Sequence, residues 1–243
     1  MKIVMKFGGT SVADIEKIKH VANIIAKEKA RGNKIAVVVS AMGKTTNALT
    51  ALAHQLTDKP NLRELDALLS TGENMSVALV ALALNSIGVP AQSYNAMQMG
   101  ILTDEKFGDA DIKDIIAPVS YMMQSGPIPI ITGFQGMTQH KDITTLGREG
   151  SDTSAVAIAG YAHADFCDIY TDVNGVYTAD PNVVKNAKKL DFITYDDMLK
   201  MANSGAKVLH PRSITTAKKF GVPIRVRSTF MPDDIGTLVA HSR

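Results

Sequence analysis

Short runs rich in β-branched residues alternate along this chain with longer stretches whose apolar residues recur at helical spacing. Few folds accommodate that rhythm. The strand-like runs cover residues 2–7, 34–40, 89–94, 128–132, 168–172 and 222–227. Between the first two, 14–31 places Ile15, Ile18, Val21, Ala22 and Ile25 on one face, with Asp14 as the expected cap. Residues 62–86, 109–124, 151–162, 195–202 and 212–220 also read as helices. Gly32, Gly88 and Gly221 stand where a helix should stop before the next strand. The alternation predicts an α/β fold with a mainly parallel sheet and helices on both faces.

In such sheets ligands gather at the carboxyl ends of the strands, where loops open into helices. A length of 243 residues suits one domain of this class. The polar stretch 135–148 is the candidate junction between an N-terminal lobe (about 1–140) and a C-terminal lobe (about 141–243).

Composition removes several function classes. Hydrophobic content of 45% and charge of 21% exclude disorder and a collagen-like fibre. A net charge of +2, with Lys188–Lys189 and Lys218–Lys219 scattered rather than aligned, argues against nucleic acid. The single Cys167 leaves no intramolecular disulfide and no thiolate zinc cluster, and the six His form no pair at metal-ligand spacing. Lys6 interrupts the region where a signal peptide needs its apolar core. The longest apolar run, 77–84, is far short of the ~20 residues of a membrane span. The expectation is a soluble, cytoplasmic protein.

The loops after the strands hold the chemistry. Lys6 leads into Phe7-Gly8-Gly9-Thr10-Ser11, where paired glycines let the backbone approach an anion and the lysine adds a charge suited to phosphate. Ser40-Ala41-Met42-Gly43-Lys44-Thr45-Thr46 looks like a P-loop but lacks its first glycine, Val38 standing there instead. It offers hydroxyls to a polar ligand, or caps a helix through Thr45 or Thr46. Ser70-Thr71-Gly72-Glu73 interrupts a helical pattern; Glu73 either caps a new helix or pairs with a substrate ammonium group. Residues 144–154 set Arg148 between glycines and then open a helix with Ser151 and Asp152, an anion-binding turn in which Arg148 can grip a carboxylate. Thr171, Asp172 and Tyr177 border a turn-rich segment that holds a nucleotide or closes as a plain hairpin. Lys207 lies in a second Gly-punctuated loop and with Lys6 would supply two cations to a polyphosphate.

Taken in order, residues 6–12, 70–73, 144–152, 171–181 and 205–211 resemble the aspartokinases of the amino acid kinase family, and the likeness runs from Lys2 to Val239. The resemblance implies a three-layer αβα sandwich and transfer of the γ-phosphoryl of MgATP to the β-carboxylate of L-aspartate. It makes Lys6, Asp152 and Lys207 catalytic. It assigns Ser40, Thr46, Glu73, Phe134, Arg148 and Ser151 to the aspartate pocket, with Arg148 on a carboxylate and Glu73 on the ammonium. It assigns Lys6, Gly8, Gly9, Thr10, Thr171, Asp172, Tyr177 and Lys207 to the nucleotide, with Mg²⁺ carried by ATP rather than by a protein metal site. A carboxylate acceptor is already ionised at pH 7, so a site rich in Lys, Gly and Asp needs no general base.

The chain departs from that pattern at Glu149, where a second glycine is usual, and at Asn182, where an arginine is common. Aspartokinases also continue into paired ACT regulatory domains, whereas this sequence stops at Arg243. The expectation is a catalytic domain that forms a homodimer or works with a separate ACT-containing subunit. Kinases of glutamate, acetylglutamate or carbamate, and a non-catalytic nucleotide-binding subunit, are the alternative readings.

Overall fold

The computed structural model of the chain describes residues 1–179, 183–184, 186–206 and 208–242. Lys207 and Asn182, both singled out above, therefore lie outside the described residues. The chain begins with β1 (Lys2–Phe7), α1 (Ile15–Ala30), β2 (Lys34–Val39), α2 (Thr45–Leu56) and α3 (Leu62–Ser86). It continues through β3 (Ala91–Tyr94), α4 (Ala96–Met99), β4 (Ile101–Thr103), β5 (Ile112–Ile115), α5 (Val119–Met122) and β6 (Ile128–Thr132). Next come β7 (Gln135–Met137), β8 (Ile143–Thr145), α6 (Gly150–Tyr161) and β9 (Phe166–Thr171). Last are β10 (Phe192–Thr194), α7 (Tyr195–Asn203), α8 (Pro211–Phe220), β11 (Ile224–Ser228) and β12 (Thr237–Ala240).

Eight strands form one sheet in the order β10-β12-β11-β9-β1-β2-β6-β3, parallel at every pairing except β11 with β12. Side chains alternate across β1: Ile3, Met5 and Phe7 meet Val21 and Ile25 of α1 and Val80 and Leu84 of α3, while Val4 faces the core built on α6. Helices thus cover both faces, giving the expected three layers. Asp14 caps α1 by accepting from Lys17 N at 2.9 Å, and each of the three expected stop glycines has a positive φ. The six expected strands match β1, β2, β3, β6, β9 and β11 to within two residues at either end.

Four expectations are corrected. Residues 109–124 form β5 and the short α5 rather than one helix. Pro118 breaks the helical ladder, and β5 pairs antiparallel with β4. The stretch 135–148 is no junction, because β7 and β8 pair there in a second, four-stranded sheet ordered β5-β4-β7-β8. Ser70–Glu73 does not interrupt α3, which runs unbroken through it. Gly72 is present because a Cβ there would lie 2.9 Å from the Ala41 Cβ and 3.3 Å from the Thr45 Cγ2. Finally, neither Thr45 nor Thr46 caps α2, whose cap position is Lys44 with no side-chain bond. Among the described residues α3 alone is long and apolar enough to cross a membrane. It packs Val77, Val80, Ala81 and Leu84 against the sheet.

Candidate active site

The parallel pairings set the carboxyl ends of β9, β1, β2 and β6 along one edge of the large sheet, and a cavity of about 580 Å³ opens beyond β1, β2 and β6. Lys6 reaches into it from the last turn of β1. Its Nζ lies 2.6 Å from Asp152 Oδ1, and both side chains are about nine-tenths buried (11% and 7% exposed). Asp152 sits in the first turn of α6, where the helix dipole favours an anion.

The opposite wall is α3. Glu73 is 2% exposed; its Oε1 accepts from Ala41 N at 3.0 Å, and its Oε2 is buried without a hydrogen-bond partner. Burial pushes this carboxyl up to about 7, against the downward pull of the Ala41 N–H. An unpaired carboxylate oxygen facing a cavity calls for a cationic donor. Leu62, Leu65 and Leu69 from the same helix add an apolar wall.

The third side is the turn between β8 and α6. Arg148 lines the cavity from an exposed position. Glu149 has φ of +51°, in the left-handed region where glycine is at ease, which explains why a glycine is usual at this position. Its side chain is exposed at the edge of the cavity, where partial burial and the neighbouring Asp152 raise its carboxyl above the ordinary range. Phe134 is also left-handed (φ +69°), a strained backbone held by Phe134 N donating to Ser154 Oγ at 3.0 Å and by Leu146 N donating to Phe134 O at 2.8 Å.

Lys6, Gly9, Ser40, Thr46, Glu73, Phe134, Arg148, Ser151 and Asp152 therefore line one cavity, although they come from distant parts of the sequence. Gly8, Thr10, Thr171, Asp172 and Tyr177 do not line it. Of these, Gly8 and Thr171 lie next to Lys6 and β1: a Cβ on Gly8 would be 3.3 Å from Lys6 Nζ, and Thr171 ends β9, the strand paired with β1. Tyr177 donates its hydroxyl to Asn174 Oδ1 at 2.6 Å, and Thr171 donates to Asp172 Oδ1 at 3.1 Å. Sequence reasoning missed Asp66. Its carboxylate, 1% exposed, accepts from Gly108 N (2.8 Å), Thr145 N (2.8 Å) and Thr145 Oγ1 (2.7 Å), fixing two cavity loops from α3. On an amphipathic helix an aspartate looks like a solvated charge, so no local signal marked it. Among the described residues no group of three or more His, Cys, Asp or Glu is placed to hold a metal ion.

Residues 1–228 match the sequence profile of the amino acid kinase family. The chain belongs to the amino acid kinase family. It is 52% identical over 238 residues to an aspartokinase of Geobacillus stearothermophilus, a match that spans 98% of this chain and 58% of that protein. The chain thus spans a little over half the length of the curated relatives it matches. The structure of an aspartate kinase from Synechocystis superposes with a TM-score of 0.89 at 45% identity, covering 99% of this chain and 40% of the other. E. coli aspartokinase III in complex with aspartate and ADP gives a TM-score of 0.88 at 30% identity, covering all of this chain and 65% of the other.

Proposed function

We propose that the chain is the catalytic domain of an aspartate kinase, transferring the γ-phosphoryl of MgATP to the β-carboxylate of L-aspartate to give 4-phospho-L-aspartate. That reaction opens the route to lysine, threonine and methionine. The observation that carries the reading is the convergence of Arg148, unpaired Glu73 and the Lys6–Asp152 pair on one cavity. A free α-amino acid presents a carboxylate and an ammonium group, and these suit Arg148 and Glu73 respectively. The names of the similar proteins point the same way.

In this reading the β-carboxylate attacks the γ-phosphorus in line, one oxygen–phosphorus bond forms, and the bond to the ADP oxygen breaks. No proton need move, because the acceptor is already anionic. Lys6 neutralises charge on the moving phosphoryl, and Asp152 fixes the lysine where that charge develops. Ser40, Thr46, Phe134 and Ser151 complete the aspartate pocket, while Gly8, Gly9, Thr10, Thr171, Asp172, Tyr177 and Lys207 serve the nucleotide. The magnesium ion is proposed to enter on the nucleotide as part of the substrate. The working unit is proposed to be cytoplasmic, either a homodimer or an assembly with a separate ACT-containing regulatory subunit.

The test is ADP release coupled to a panel of aspartate, glutamate, acetylglutamate and carbamate. Aspartate alone is expected to drive turnover, and Lys6→Ala or Arg148→Ala to abolish it. Tight ATP binding without aspartate-dependent ADP release refutes the proposal, as does unchanged turnover in either variant.

A further inference from the structure

We propose that Arg212 is a positioning residue that ties the Arg148 turn to the amino end of α8, holding that wall of the cavity in one geometry. The inference deepens the aspartate kinase reading and rests on it. Arg212 is the second residue of α8, and its side chain is 27% exposed. It reaches away from its own helix to three acceptors. Nη1 donates to Leu146 O at 2.8 Å and to Ala110 O at 3.2 Å, and Nη2 donates to Asp109 Oδ1 at 2.5 Å. Nε faces Asp111 Oδ1 at 3.8 Å.

A surface ion pair alone contributes little. Two of these acceptors, however, are main-chain carbonyls of the fully buried Ala110 and Leu146, and Leu146 is two residues from Arg148. Ala110 N donates to Thr145 O at 2.9 Å, so segments 108–110 and 144–146 run side by side. Asp66 grips one end of that pair of segments from α3 by accepting from Gly108 N and Thr145 N, and Arg212 grips the other end from α8. The Arg148 turn emerges directly from the strapped segment.

Gly147 shows how closely the parts fit. Its φ is +73°, and a Cβ there would lie 2.8 Å from Asp109 Oδ1 and 3.3 Å from Gly108 O. The carboxylate that receives Arg212 therefore also lies against the turn. His210, which caps α8, lies near enough to Glu149 to oppose the upward effect of burial on that carboxyl. The guanidinium is thus the link between the amino end of α8 and the turn assigned to aspartate. A planar fork can serve carbonyls and a carboxylate together, whereas an ammonium group is a point charge.

The experiment compares wild type, Arg212→Ala and Arg212→Lys as full chains by steady-state kinetics and by amide hydrogen exchange. For Arg212→Ala the KM for aspartate is expected to rise about tenfold or more, with the KM for ATP moving less than about threefold, since a small misplacement of a substrate clamp is costly. Exchange is expected to quicken at residues 147–150 and to stay unchanged in β1 and α1. Arg212→Lys is expected to recover only part of the loss. An aspartate KM within about twofold of wild type overturns the proposal. So does a proportional rise in both KM values with faster exchange throughout, the signature of a purely structural clip. If wild type transfers no phosphoryl group to aspartate, the kinase reading fails by itself. Exchange at 147–150 then decides the tether alone: quickening confined to the turn upholds it, and no change overturns it.

Discussion

Glu73→Gln separates the stability of the fold from the demand of the ligand. In the free protein burial raises the Glu73 carboxyl from its ordinary 4.5 to about 7. Below about pH 4.5 the group is protonated in both the folded and the unfolded chain, so it contributes no pH dependence. Between 4.5 and 7 only the folded state keeps the proton, and its contribution to stability declines as pH rises. Above 7 the full cost of a buried, half-paired carboxylate is present. The shift of 2.5 corresponds to a ceiling of about 3 kcal/mol. Glutamine keeps the acceptor that Ala41 N uses and does not titrate. Urea unfolding of both proteins from pH 4.5 to 8.5 should show the variant gaining relative stability by up to about 3 kcal/mol as pH rises. The difference between the two proteins cancels other titrating groups. Saturating aspartate should narrow the gap at high pH, because an ammonium group on Glu73 stabilises wild type only. A stability difference that stays flat across this range refutes the account of Glu73.

Glu149→Gly removes a left-handed glutamate from the mouth of the site. Relief of strain of about 1 kcal/mol should raise Tm by about 2–4 °C, and loss of an anion beside Asp152 should lower the KM for ATP; a lower Tm with a higher KM refutes both. Gly72→Val forces a side chain into the Ala41–Thr45 loop and should cost about 1–3 kcal/mol in thermal unfolding, with a weaker aspartate KM as Ser40 and Thr46 are displaced. An unchanged Tm contradicts that packing.

Six strands of the large sheet are legible because most are continuous β-branched runs and glycines with positive φ punctuate the helices between them, whereas its β10 and β12, of three and four residues, are not. None of the small sheet is. Its strands are three or four residues long, too short for alternation to register, and the spacing of Ile112, Ile115, Ile116 and Val119 imitates a helix face. Tertiary pairing with β4 outweighs that local pattern. At the site, charged or hydroxyl side chains that follow strands could be read from the sequence, since strand ends converge in a parallel sheet. Asp66 and Arg212 could not, because each lies on a helix and acts on main-chain groups remote in sequence. Asp168, expected at the start of a strand, lies within β9 and is also a wholly buried carboxylate held by Arg225 at 2.6 and 2.8 Å and by Arg227 at 3.0 Å. Only the register of β9 with β11 brings those three together.

That register has a temporal consequence. β1 is made well before β9, yet the two are neighbours, with Ile3 opposite Phe166. During synthesis β1 can dock on β2 early, but its other edge stays open until the chain has grown past residue 171. Lys6 cannot meet Asp152 in its final setting before then. Pairings of such long sequence separation carry a large loop-closure entropy and fold slowly. Catalytic competence should thus be among the last properties a nascent chain acquires. Until then the half-finished molecule carries an unpaired, apolar strand edge, the kind of surface that chaperones shield and that aggregation exploits.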